Sequence, residues 1–239
     1  MIEKHEIAVI GHIHTPFPEK FGIPRQSGLV RGLLSKIVFE PEFRSPEAVR
    51  GLEGFSHSWV LWQFSQAAGH GWRPTVRPPW LGGNVRMGVF ATRSPFRPNN
   101  IGLSCLKLER VEIVGDEGPV IYVSGADMVD GTPIYDIKPY VAHADSHPDA
   151  VSGFARGKME KRLQVVIPPN IKNALPEELI APVTDILAND PRPAYQEDGN
   201  REYGFLLWDY EIKFKVDGNV LTVCGAARSA PTKNGGSDA

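Results

Sequence analysis

Residues 101–124 constrain the fold of this chain more than any other stretch. A long strand pattern occupies 101–114, stops at Gly115-Asp116-Glu117-Gly118, and is answered by an apolar return over 120–124. Two such runs about a polar turn make a hairpin, and a hairpin needs further strands to cover its apolar face. Further strands are present. Over 33–39, Leu34, Lys36 and Val38 alternate with Leu33, Ser35, Ile37 and Phe39, the period of a half-buried strand. EIAVIGHI at 6–13, HSWVLWQF at 57–64, a short run at 88–91 and the pattern at 161–167 also read as strands. At the close, Trp208, Tyr210, Ile212, Phe214 and Val216 alternate with Asp209, Glu211, Lys213 and Lys215; Asp217-Gly218 turns the chain and 220–226 returns.

Helical signals are few. Ser45-Pro46-Glu47 opens a helix that Gly51 and Gly54 keep short. Leu179, Val183, Ile186 and Leu187 hold helical spacing, and Pro182 is expected to confine that helix to its downstream part. With 24 glycines and 21 prolines in 239 residues, the connections are many and the strands short. The expected architecture is mainly β, a barrel or sandwich. The expectation is a closed or near-closed β-barrel over 1–150 and a small α+β domain over 151–228, with a disordered tail at 229–239. Residues 143–157 read as a polar linker.

No window approaches the roughly 18 unbroken apolar residues of a membrane span. The first residues lack a basic-then-apolar signal pattern, so a cytoplasmic protein without membrane association is expected. Cys105 and Cys224 lie in apolar alternating stretches and are expected to be buried and reduced. The pairs His12/His14 and His143/His147 lack a third ligand, and no metal is expected. The signatures of dinucleotide sites, phosphate-binding loops, zinc proteases and serine hydrolases do not occur.

A net charge of −2 argues against wholesale nucleic-acid binding, yet the charge is uneven. Residues 54–108 contain no Asp or Glu and carry Arg73, Arg77, Arg86, Arg93, Arg97 and Lys107, which favours a local anion-facing surface. Within this window ATRSPFRPNNIGL, at 91–103, sets Arg93 and Arg97 on a loop stiffened by Pro95 and Pro98. Ile23-Pro24-Arg25-Gln26-Ser27-Gly28 is a second rigid turn carrying a guanidinium and an amide. The connection at 67–86 is long enough to suggest function, and its Trp72 and Trp80 serve either as packing anchors or as stacking faces for a base. Beyond the Asp130-Gly131 turn, Asp136, Lys138 and Tyr140 alternate on one side of an extended segment. Two readings stand for them: a site, or an exposed strand face with an internal ion pair.

Taken together, Pro24-Arg25-Gln26, GHGWRPTVRPPWLGGNVRM at 69–87, ATRSPFRPNNIG from Ala91 and DGTPIYDIKPY from Asp130 resemble the TrmO/TsaA-like family. Residues 190–195 and the final aromatic hairpin resemble its bacterial C-terminal region. The resemblance implies a β-barrel, homodimeric tRNA methyltransferase that uses S-adenosylmethionine. Its implied target is N6 of the threonylcarbamoyl-modified adenosine in the tRNA anticodon stem-loop. It implies cofactor contacts from Pro24, Arg25, Gln26, Ser65, Gln66, Arg93, Leu103 and the turn Asp130, Gly131, Thr132, Pro133. The chain departs from the family at Ser65, where a His is frequent, and at Asn100, where a Pro or small residue is common. Methylating an exocyclic amine requires a proton acceptor; the alternation in DIKPY nominates Asp136, oriented by Lys138 or Tyr140. The competing expectation is an RNA-binding module without catalytic activity.

Overall fold

The computed structural model describes residues 3–155, 162–192 and 201–229. In chain order the strands are β1 (Gly11–His14), β2 (Leu34–Phe39), β3 (His57–Gln63), β4 (Thr75–Val76), β5 (Met87–Gly88), β6 (Ile101–Val114), β7 (Gly118–Ser124) and β8 (Thr132–Pro139). Beyond these come the short helices α1 (Ala142–Asp145) and α2 (Pro169–Lys172), with β9 (Gln164–Val166) between them. Helix α3 (Glu177–Ala188) follows, then β10 (Tyr203–Leu207), β11 (Tyr210–Asp217) and β12 (Val220–Arg228).

Six strands close into a barrel in the order β1-β2-β7-β6-β3-β8, each pairing antiparallel. Alternation does the sorting: Ile13, Ile37, Val60, Leu106, Ile121 and Ile134 fill the interior. Two irregularities matter for the site. Register between β3 and β8 slips by one residue, since Leu61 faces Asp136 while Trp62 faces Ile134. The bulge at Tyr135 inverts the phase of the strand, so Asp136 and Lys138 leave the core side and Ile137 packs toward it. At the start of β6 a Cβ on Gly102 would stand 2.3 Å from the Trp62 indole, so only glycine lets that ring lie across the strand.

The second unit is a sheet ordered β10-β11-β12-β9, with β9 parallel to β12, covered by α2 and α3. Its core joins Leu179, Val183 and Leu187 of α3 to Phe205, Ile212, Phe214 and Leu221 of the sheet. Phe17, Val30 and Leu33, from the β1–β2 connection, belong to the same core. That connection is fixed further by Trp208 N–H donating to the Pro16 carbonyl (2.7 Å) and Leu206 N–H to Glu19 Oε1 (3.1 Å). The barrel and the C-terminal sheet are therefore stapled together by the segment that leads into Pro24-Arg25-Gln26.

Several local expectations are corrected. The first strand begins at Gly11 rather than near Glu6. Ser45-Pro46-Glu47 opens a single 3-10 turn, Pro46–Val49, without a side-chain cap. The stretch after Gly88 forms a 3-10 turn, Val89–Ala91, not a strand. Helix α3 runs through Pro182 from Glu177, because burying Leu179 together with Val183, Ile186 and Leu187 requires the upstream turn as well. Trp208 is no strand residue; it sits exposed at φ 51° in the turn joining β10 to β11. Cys224 is exposed and Cys105 only partly covered. Part of the anticipated loop at 190–195, and all of the tail beyond Ser229, lie outside the described residues. Among those residues no helix is long and apolar enough to cross a membrane, and no group of three metal-ligating side chains occurs.

Candidate functional site

One end of the barrel, where β3 finishes and β6 begins, carries a cavity of about 280 Å³. Trp62 and Phe64 from the end of β3 and Ile101, Gly102 and Leu103 from the start of β6 supply its apolar surface. The two rings pack at 4.2 Å between centroids. Polar groups come from three connections: Arg25 and Gln26 before β2, Thr92, Arg93 and Arg97 before β6, and Asp127 between β7 and β8. A larger groove of about 470 Å³ lies beside α2 and α3; its polar side chains are Lys172, Asn173 and Glu177, all from one short stretch of chain rather than from several converging connections. The chemistry therefore favours the barrel pocket.

The Arg loop is rigid for reasons written in its sequence. Thr92 Oγ1 donates to the Val89 carbonyl (2.8 Å), and the Arg97 guanidinium donates to the carbonyls of Val89 (3.1 Å) and Thr92 (2.7 Å). Asn100 Nδ2 donates to the Pro95 carbonyl, and the Asn100 carbonyl accepts from Phe64 N–H (2.9 Å). Arg97 is thus consumed in holding the loop, while Arg93 is exposed and reaches Gln26 Oε1 through Nη1. Gln26 is oriented in turn by donating to the Arg25 carbonyl (2.6 Å). Arg25 turns away, donating to the carbonyls of Asp190 (3.0 Å) and Arg192 (2.8 Å) of the C-terminal unit. A chain of polar contacts so runs from the C-terminal unit to the pocket.

Asp127 is the carboxylate among the residues lining the cavity. Ser104 Oγ donates to its Oδ1 at 2.5 Å, and Trp62 Nε1 donates to Ser104 Oγ at 3.0 Å. The turn carrying Gln26 and Ser27 is pressed against this connection by Gly28 N–H donating to the Gly125 carbonyl (2.9 Å). A Cβ on Gly125 would come within 3.0 Å of Gly28, so the approach depends on glycine. Desolvation pushes the Asp127 carboxyl up to about 6, against the opposing pull of the Ser104 hydrogen bond, the Ser27 backbone N–H and the charge of Arg93.

Of the residues singled out from sequence, the pocket collects Arg25, Gln26, Arg93 and Leu103; Pro24 is buried just behind them. Ser65 and Gln66 are exposed on the 3-10 turn that follows Phe64 and do not line the cavity. Asp130, Gly131, Thr132 and Pro133 stand at the same barrel end, at the start of β8, engaged in structure. Asp130 Oδ1 accepts from Thr15 N–H (2.9 Å) and pairs with His14 (3.4 Å), Gly131 N–H donates to the Ile13 carbonyl (2.9 Å), and buried Thr132 donates to the Val129 carbonyl (2.7 Å). Pro133 faces His12 across β1. Asp136, Lys138 and Tyr140 do share one side, the outer wall. There Lys138 Nζ holds Asp136 Oδ2 (2.8 Å), the Ile137 N–H holds Oδ1 (2.9 Å), and Tyr140 packs on Trp59 (5.8 Å between centroids). None of these three lines the cavity.

Asp127, Trp62 and Gly102 were missed. The available cue was parity: Gly102, Ser104, Leu106 and Leu108 share one face of β6, and a hydroxyl among inward residues calls for a buried partner. Two cations of the acid-free window, Arg97 and Lys107, are engaged locally. Lys107 is tied to Glu109 (3.0 Å), whereas Arg73, Arg77, Arg86 and Arg93 are exposed, beside the exposed rings of Trp72 and Phe90.

A small closed barrel whose rim connections gather guanidinium, amide and carboxylate groups beside two aromatic rings defines a β-barrel protein with a mixed polar and apolar pocket at one barrel end. The model of the tRNA-methyltransferase O N-terminal domain matches residues 12–146, and that of the TrmO C-terminal domain matches 160–229. The chain is 42% identical to the tRNA (adenine(37)-N6)-methyltransferase of Escherichia coli over 215 residues, covering 87% of this chain and 91% of that one. It is also 42% identical, over 87% of this chain and 91% of the other, to a Pseudomonas aeruginosa protein with the provisional name S-adenosylmethionine-dependent methyltransferase RcsF. The crystal structure of TrmO from P. aeruginosa superposes with a TM-score of 0.77 at 33% identity, covering 96% of this chain and 99% of that one. The chain belongs to the tRNA-methyltransferase O family.

Proposed function

We propose that this chain methylates N6 of the adenosine beside the tRNA anticodon, with S-adenosylmethionine as donor and the threonylcarbamoyl-modified base as acceptor. The observation that carries the reading is the convergence of Arg93, Gln26 and Asp127 beside two aromatic rings, next to an acid-free arginine surface. The relatives' names support the reaction and the donor.

The residues present suit the donor. Trp62, Phe64, Ile101 and Leu103 offer surface for its adenine and aliphatic parts, and exposed Arg93 offers a two-pronged partner for its carboxylate. When bound, S-adenosylmethionine supplies a methyl group on positively charged sulfur. Arg93 and Gln26 fix the position of ligands in the pocket, and positioning alone supplies a large part of the rate in a displacement of this kind. Arg73, Arg77 and Arg86 neutralise RNA phosphates, while Trp72 and Phe90 give splayed anticodon-loop bases a face to stack on. Asp136, with Lys138 and Tyr140, is one proposed proton acceptor. The pocket contains a second, Asp127. On the family resemblance the active species is a homodimer; sedimentation equilibrium returning the 26.3 kDa monomer would reject that part.

The test is methyl transfer to synthetic anticodon stem-loops with and without the threonylcarbamoyl group, read by nucleoside mass spectrometry. The expected product is N6-methylated threonylcarbamoyladenosine, with little or no reaction on the unmodified loop. Binding of the stem-loop without any methyl transfer would favour the RNA-binding module instead.

A further inference from the structure

We propose that Asp127 is the proton acceptor of the reaction, with Ser104 and Trp62 as positioning residues behind it. The proposal rests on the methyl-transfer reading above. Asp127 is the one acid among the described residues lining the cavity. It enters from the β7–β8 connection. The charge that acts on it is that of Arg93 from the rim loop; Arg97 and Arg25 also line the cavity but are bonded to backbone carbonyls, and β3 and β6 present the neutral Trp62 and Ser104.

The hydrogen-bond direction is fixed. Trp62 Nε1 can only donate, so Ser104 Oγ accepts from it and turns its own proton toward Asp127 Oδ1. This relay holds the carboxylate in one orientation, as a base needs to be held. Gly102 permits it, because the indole that starts the relay lies where a Cβ would be. In the step itself the N6 lone pair forms the new N–C bond as the methyl–sulfur bond breaks, and the bonding pair stays on sulfur as a neutral thioether. The N6–H proton passes to the Asp127 carboxylate, which later loses it to solvent through the cavity mouth. No further reactant is needed.

The test compares the full-length protein with Asp127→Asn and Ser104→Ala, measuring methyl transfer to the modified stem-loop across pH and donor affinity by calorimetry. Asp127→Asn is expected to lower kcat by about 10²- to 10³-fold while donor affinity stays within about threefold. Ser104→Ala removes a donor that favours the ionised carboxylate, so the pH below which kcat/KM falls, near 6 in the wild type, moves upward. A ¹³C carboxyl titration of donor-free protein reads the same upward shift without turnover, and keeps the test open should Asp127→Asn fold poorly. Near-normal kcat in Asp127→Asn would overturn the proposal. So would a loss of donor affinity with kcat retained at saturation, which would make Asp127 a counter-ion for the sulfonium. An upward shift absent from both Ser104→Ala measurements would also count against it. If the wild-type protein transfers no methyl group, the reading of function fails and takes this proposal with it; an active wild type with an active Asp127→Asn sinks this proposal alone.

Discussion

Asp127 and Asp136 stand nine residues apart in the chain and end in opposite circumstances. Asp136 lies on the outer wall of β8, where the Lys138 ammonium and the Ile137 N–H occupy both its oxygens. Asp127 is held instead by a neutral hydroxyl and raised to about 6 by desolvation. The first arrangement keeps both carboxylate oxygens occupied; the second leaves a carboxyl of raised pKa at the lining of a cavity. The residues between them make the difference. The Asp130-Gly131 turn reverses the chain into β8, and the bulge at Tyr135 carries Asp136 to the outside. Exposed ion pairs of the Asp136 kind contribute little, on the order of 0–1 kcal/mol. The comparison predicts unequal consequences: Asp136→Asn should cost less than about tenfold in kcat, against the hundredfold or more for Asp127→Asn. Parallel steady-state assays check the ranking, and a reversed order would return the role to the outer wall.

A second contrast lies between two arginines of the rim loop. Arg93 is exposed, donates to the Gln26 amide oxygen and lies near enough to Asp127 for its charge to act there, whereas Arg97 is spent on the carbonyls of Val89 and Thr92 and stacks over Phe90 at 5.6 Å. Arg93→Ala should weaken donor binding by about 10- to 100-fold through loss of a charge-assisted pair, with the melting temperature nearly unchanged. Arg97→Ala should instead lower the melting temperature and loosen the loop as a whole. Calorimetric titration and thermal melts on the two variants separate the effects. Arg25 is intermediate. Its bonds to Asp190 and Arg192 bridge to the C-terminal unit, so Arg25→Ala should weaken donor binding by only about three- to tenfold, through Gln26.

Much of this was legible in the sequence, and for a physical reason. Period-two alternation survives folding when one face is buried, so β2, β3, β6 and the closing hairpin could be read from their residues, β6 to its end residues. Proline and glycine likewise declare where a backbone is stiff or turns, which located Arg25, Gln26 and Arg93. Contacts between segments far apart in sequence were not legible. Nothing local in Phe17 or Val30 says that they complete the core of a sheet formed some 190 residues later. The bulge at Tyr135 was hidden too, since alternation in DIKPY looks the same on the inner and the outer wall. Asp127 was overlooked because its importance arises from Ser104, Trp62 and Ser27, which only the closed barrel brings to it. Pro182 misled in the other direction, because the helix-breaking penalty was outweighed by burial on both sides of it.

The smallest expected effect tests the contrast between the two carboxylates through stability alone, without donor or RNA. A carboxyl raised from 3.8 to about 6 by folding binds its proton more tightly in the folded state. Its contribution is most favourable below the unfolded value and is lost as pH rises through about 6. Asp127→Asn cannot ionise, and its amide oxygen can still accept from Ser104. The variant should therefore match or fall slightly below the wild type near pH 4 and gain on it between pH 4 and pH 6. Above that it should hold a constant advantage of about 1–2 kcal/mol after allowance for solvent screening. Asp136→Asn, which removes a surface ion pair, measures the background cost of losing a carboxylate outside the cavity. Urea unfolding at a series of pH values measures the difference, and parallel curves for wild type and Asp127→Asn would mean that Asp127 is solvated like any surface acid.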